Sequence, residues 1–227
     1  MKRFFTLWLL GLAVPLGAAD KSYHPQIVPT DFQTTVDNPF CPFIPGMTLK
    51  YIEKSGGAVS TNTIMVTHDT KVIVGVTCVV IHETAARNGR IVEDDYKWVA
   101  QHKDGTVWCF GTSAREISPG GRVSTEGSWE AGVKDAQPGI LMPGDPRPGK
   151  PYRQEYVYNI AENRAQIVAT NETVTVPAGT FNGCVKTKEW SMLEAGTEIK
   201  WYARGIGVVK EIATAGDSVV LMSVTRE

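Results

Sequence analysis

The chain is expected to be all-β: a single curved antiparallel sheet, half-barrel or barrel-like, of roughly ten strands under a long Gly/Pro-rich loop. Three observations carry this reading. Short runs dense in Val, Ile, Thr and Tyr alternate in polarity along most of the sequence. Turn signals such as Asn88-Gly89 and Asp104-Gly105 separate them at the spacing of hairpins. Beyond residue 19, no stretch of any length repeats its apolar residues with a helical period.

The first 19 residues read as a signal peptide. Lys2 and Arg3 form a basic start, residues 4–16 an apolar run, and Gly17-Ala18-Ala19 a small-residue cleavage site before Asp20. The run is short for a membrane span, and the first cysteine, Cys41, stands too far from the cleavage site for a lipid anchor. The expected product is a soluble periplasmic or extracellular protein, a single β domain over 20–227 with no transmembrane segment. Without Lys2 and Arg3 the chain keeps 21 basic against 24 acidic residues, a net charge of −3. No basic run appears, which argues against nucleic acid as a partner and against electrostatic membrane docking.

In chain order, 20–38 is polar and extended. Residues 38–46, with Pro39, Phe40, Pro42, Phe43 and Pro45, form a stiff aromatic entry suited to plug one end of a sheet or barrel. Strands follow at 47–54 and 60–68 around Gly56-Gly57, then at 71–83. Asn88-Gly89 turns the chain into 93–102, since both positions of a type I′ turn need positive φ. Asp104-Gly105 leads into 106–111. With two-residue loops, His82 falls opposite Asp95, Cys78 opposite Val99 and Gln101 opposite Trp108. One face then holds Val74, Val76, Cys78, Val80, Val99, Trp108 and Phe110. The other holds Ile73, Val79, Ile81, Tyr96, Trp98, Ala100 and Cys109. Two apolar faces imply that both sides are covered.

The 128–151 segment cannot form a helix or a central strand because of its Gly and Pro content, yet it carries Trp129, Ile140, Leu141 and Met142. It reads as a loop covering the sheet. Strands resume at 152–160, 165–176, 183–190, 198–204, 206–212 and 218–224.

Cys41, Cys78, Cys109 and Cys184 beside an export signal point to two disulfides. The assumed register separates Cys78 from Cys109 and leaves two connectivities. Cys41–Cys109 with Cys78–Cys184 is preferred, subject to the turn lengths. No CxxC pair and no HxH or HExxH spacing suggests a metal, and no cofactor motif appears.

His82 with Asp95 is the most chemical-looking pair, an imidazole beside a carboxylate. Its bland alternative is a cross-strand ion pair. Glu126, Glu130 and Glu155 form a second candidate acid–base set, and their bland alternative is loop anchoring beside Arg153. Neither makes a strong enzyme case, since no motif positions a nucleophile. Trp98, Trp108, Trp129, Met142, Arg153 and Tyr156 are the candidate ligand-binding residues: large aromatic area, an adaptable thioether and one cation.

Val176-Pro177-Ala178-Gly179-Thr180-Phe181 ending at Cys184, with Tyr202-Ala203-Arg204-Gly205-Ile206-Gly207, resembles the closing portion of a broad group of bacterial exported proteins with VPAGTF…C and YAxGxG motifs. Val36–Phe40, Asp104–Trp108 and Glu126–Gly132 resemble one subgroup. The resemblance implies a curved antiparallel sheet similar to lipoprotein-carrier half-barrels, and supplies no catalytic residues. In the subgroup's pattern aromatic or aliphatic residues stand at the positions of Cys41 and Cys109, a paired departure that supports a bridge between them.

The expected function is binding of a small apolar or aromatic molecule, or a lipid, between sheet and covering loop. The alternatives are an envelope hydrolase, lyase or isomerase using the candidate carboxylates or histidine, and a protein-interaction module using strand edges.

Overall fold

The computed structural model describes residues 23–227, so the expected signal peptide lies outside the described residues. Among them the architecture is all-β, with one short 3-10 turn at Pro29–Asp31. Eleven strands exceed five residues: β1 (Met47–Ser55), β2 (Ala58–Ile73), β3 (Val76–Arg87), β4 (Arg90–His102), β5 (Val107–Ser113), β6 (Gln137–Met142), β7 (Asn163–Val176), β8 (Gly179–Ser191), β9 (Glu198–Ala203), β10 (Gly207–Ala213) and β11 (Ser218–Arg226).

The connections are those of an up-and-down meander. Each strand pairs antiparallel with the next from β1 to β6 and again from β7 to β11. β11 returns to pair with β1, Leu221 opposite Tyr51 and Arg226 opposite Met47. The sheet thereby closes nearly into a barrel. One seam, between β6 and β7, stays unsealed and is spanned only by the 152–156 segment. Tyr152 and Arg153 pair with Ala165 and Arg164 of β7, whereas Glu155 and Tyr156 pair with Pro138 and Gln137 of β6.

Alternation along the strands produces two cores. Inside the barrel, Met47, Leu49, Tyr51, Ile64, Val66, Ile81, Val99, Met142 and Leu221 pack together. On the outer face of β2–β5, Ile73, Val76, Ala100 and Phe110 are covered by Trp129, Ala131, Ala136, Val157 and Ala161. The start of the expected covering loop therefore does cover the sheet, while Gln137–Met142 joins the sheet as β6.

The 38–46 entry plugs the barrel as its composition suggests: Phe40 and Cys41 are buried in the inner core and Phe43 packs on it, joined by Val36 just upstream. Asn38 anchors this plug. Its Nδ2 donates to the Gly105 carbonyl (2.8 Å) and the Pro143 carbonyl (3.2 Å), and its Oδ1 accepts from the Phe40 (2.9 Å) and Cys41 (3.1 Å) amides. Replacing Asn38 with alanine is expected to lower stability by about 2–3 kcal/mol in urea unfolding, because buried backbone groups lose their partners.

The Asn88-Gly89 turn forms as predicted, with φ of 50° and 73°. The register beyond it differs by one residue. Ile91 pairs with Ala86 but Glu93 pairs with Ala85, so Val92 is an extra residue in a β-bulge. From there on every partner shifts: His82 faces Tyr96, Glu83 faces Asp95, and Val79 rather than Cys78 faces Val99. Past the second turn, Gln101 pairs with Val107 instead of Trp108.

All four cysteines are free and buried, which corrects the two expected disulfides. Cys41 and Cys184 belong to the inner core, Cys78 and Cys109 to the outer one, so each expected partner falls in the other cluster. Burial pushes the thiols of Cys41, Cys78 and Cys109 up to about 12. They stay protonated and poorly nucleophilic.

Candidate functional site

The side chains that alternation sends inward from β8, β9 and β10 are not all apolar. Glu189 stands opposite Glu198, and Lys200 stands opposite Thr187 on one side and Glu211 on the other. The Lys200 ammonium, 3% exposed, lies 3.0 Å from Glu189, 3.4 Å from Glu198 and 3.5 Å from Glu211. Thr187 and Tyr202 each donate a 2.8 Å hydrogen bond to Glu189.

The carboxylates respond differently to this shared cation. Burial alone raises the Glu189 pKa, but Lys200 and the donated hydrogen bonds outweigh it and hold the group below its ordinary value. Glu211 lacks comparable donors, and burial pushes it to about 8 despite Lys200. Burial opposes the charge on Lys200 too, yet its carboxylates hold its pKa well above the usual lysine value. Held in its protonated form, Lys200 is a charge partner rather than an amine nucleophile.

Glu155 stands at the seam, 7% exposed. It accepts from the Trp129 indole at 2.9 Å and from the Asn163 amide at 2.5 Å. Burial raises its pKa to about 6. The carboxyl is neutral in both folded and unfolded chains at low pH, and the folded state resists its ionisation as pH rises. Its stabilising contribution is therefore fully present below about pH 4.5 and gone above about pH 6. Glu155→Gln is expected to remove about 2 kcal/mol of pH-dependent stability loss across that window, read from urea midpoints at a series of pH values.

These groups surround a cavity of about 410 Å³ inside the barrel, at the end carrying the 192–197 and 214–217 turns. Lys97, Glu155, Glu189, Glu198 and Lys200 form its charged part, while Leu141, Trp190, Ala195 and Ala213 form apolar walls. A smaller space of about 40 Å³ adjoins it, sharing Lys97, Leu141 and Gln154 and bounded by Tyr51, Glu83 and Tyr202. Lys97 is 3.8 Å from Glu83. Among the described residues no three His, Cys, Asp or Glu side chains are grouped to hold a metal ion.

Most residues singled out from the sequence lie elsewhere. Trp98 points outward, its ring 3.6 Å from the Lys71 ammonium, and Trp108 packs on Phe32. Trp129 belongs to the outer core and reaches the site only through its bond to Glu155. Met142 is part of the inner core, and the Arg153 guanidinium stacks 4.3 Å from the Tyr156 ring. None of these six lines the cavity, whereas Glu155 and Cys109 do. The three candidate carboxylates are not brought together: Glu126 is exposed, and Glu130 pairs with Lys71 at 2.6 Å on the outer face. His82 bonds Asp94, not Asp95, at 2.8 Å, and Asp94 also binds Arg115 at 2.7 Å. The bulge at Val92 accounts for that change of partner.

Sequence reasoning missed Lys97, Asn163, Glu189, Glu198, Lys200 and Glu211. A signal existed: Thr187-x-Glu189 and Glu198-x-Lys200-x-Tyr202 carry polar residues with the strand period on the face that also holds Val185.

Over residues 160–219 the chain matches the model of the DUF3108-like family. That window contains both motifs noted in the sequence and the Glu189, Glu198, Lys200 and Glu211 cluster. No match is found among curated proteins. One similar solved structure is a candidate exported protein with a YmcC-like fold from Bacteroides fragilis NCTC 9343, at 16% identity and TM-score 0.46, covering 83% of this chain and 100% of that one. Another is a candidate lipoprotein from Parabacteroides distasonis ATCC 8503, at 14% identity and TM-score 0.47, covering 83% of this chain and 99% of that one.

Proposed function

We propose that this protein is an exported, non-catalytic carrier that holds a small molecule inside the barrel. The molecule has a mainly apolar body and a hydrogen-bond-donating or cationic head. The observation that carries this reading is the cavity of about 410 Å³, a size at which ligand sites are commonly found. Leu141, Trp190 and Ala213 suit the apolar body. Glu155, Glu189 and Glu198 outnumber Lys97 and Lys200 in the charged part, which favours a donor head over an anion. The space between the sheet and its covering segment is a poorer candidate, being packed with buried side chains. The N-terminal leader composition supports export.

The test uses N-phenyl-1-naphthylamine, a neutral apolar fluorophore. Saturable binding of one molecule per chain is expected, weakened at least about tenfold by Ala213→Phe, which places a ring in the cavity. Absence of saturable binding, or equal binding by a folded Ala213→Phe variant, would overturn the reading.

A further inference from the structure

We propose that the outer face of β8–β11 and β1 is a docking surface for an anionic lipid bilayer. The same alternation that sends carboxylates into the barrel sends lysines out of it. Two neighbouring rows run across these five strands. In the first, Lys186 is followed by Trp201, Lys210, Val220 and Ile52. In the second, Lys188 is followed by Ile199, Ile212, Ser218 and Lys54. Neither row contains an acid. Glu172, 3.8 Å from Lys186, stands at the edge of the face.

In the first row cations alternate with bulky apolar side chains from Lys186 to Val220, and in the second Lys188 and Lys54 bracket Ile199, Ile212 and Ser218. The ammonium groups of Lys186 and Lys210 flank the Trp201 ring at 5.2 and 5.4 Å. Ile212 is 36% exposed. Five strands at their ordinary spacing make a face about 19 Å wide.

This pattern has the chemistry of a membrane interface. Tryptophan sits at headgroup level, aliphatic side chains enter the boundary with the acyl chains, and lysine stems extend their ammonium groups to lipid phosphates. Charge complementarity selects a bilayer bearing anionic headgroups. The whole-chain charge of −1 conceals this, because inward glutamates cancel outward lysines in the sum.

The test is flotation of the processed chain, starting at Asp20, with vesicles of phosphatidylglycerol and phosphatidylethanolamine. Flotation is expected at low ionic strength, with loss in high salt and on phosphatidylcholine vesicles. The triple variant Lys186→Glu, Lys188→Glu, Lys210→Glu should bind at least about tenfold more weakly while retaining the naphthylamine titration and the β circular dichroism of the parent. Lipids brominated near the headgroup should quench the parent more than Trp201→Phe. Failure of the parent to float, or equal flotation of a folded triple variant, would overturn the proposal. Retention of the parent on immobilised polyglutamate without flotation would also overturn it, assigning the face to an acidic protein.

Discussion

Lys200→Met is expected to destabilise the protein by about 3–5 kcal/mol at neutral pH, the range seen when one partner of a buried ion cluster is removed. Methionine fills much of the same volume, so the loss is electrostatic rather than a cavity effect. Without the ammonium, Glu189, Glu198 and Glu211 face one another with no buried cation between them. The loss should shrink as pH falls, because Glu189, the carboxylate that Lys200 holds ionised, then takes up a proton and no longer needs a buried cation. Adding Glu189→Gln should recover part of the stability, since Glu189 is the carboxylate that Lys200 keeps ionised. Urea unfolding across pH measures all three effects. A loss below about 1 kcal/mol would mean that water, not protein, solvates the cluster.

Gly139→Ala is expected to cost about 3 kcal/mol or more and to abolish naphthylamine binding. A Cβ at Gly139 would fall on the carbonyl group of Gln154 and the amide nitrogen of Glu155. Those are backbone atoms of the one segment that spans the seam, so relief requires the segment to move. Overpacking that a rotamer change can relieve costs about 1–3 kcal/mol, and a forced backbone shift lies at or beyond the upper end. Displacement of Glu155 would open the cavity wall at the same time. Gly56→Ala is the control. That hairpin glycine has φ +55° and nothing within 4 Å of its added Cβ, so about 1 kcal/mol of backbone strain is the whole expected effect.

The strands and their class were readable because β-branched runs and Asn-Gly turns act locally. Register was not, because a bulge such as that at Val92 has no composition of its own, and one added residue moves every later partner to the other face. The consequence is visible in His82, which trades Asp95 for Asp94. A barrel-like sheet was expected, but which strands close it was not readable, since closure pairs residues near 50 with residues near 220 and leaves no mark on either segment alone. The disulfides were inferred from compartment and cysteine count, neither of which carries distances. The cavity was overlooked for a more general reason. Trp98, Trp108 and Trp129 drew attention as ligand-binding residues, whereas the charged part of the wall is built from glutamates and lysines that look like ordinary surface charge until the inward face is known.

The pairing of the last long strand with the first has a consequence for how the molecule is made. During synthesis each hairpin can form as soon as its second strand emerges, so most of the sheet assembles from sequence neighbours. The outer edge of Met47–Ser55 nevertheless waits for Ser218–Arg226, separated from it by nearly the whole domain. Until those residues arrive the edges of Met47–Ser55 and Gly207–Ala213 stay open in addition to the seam, a template for pairing with other chains. A chain halted a few residues early would thus be aggregation-prone rather than merely less stable.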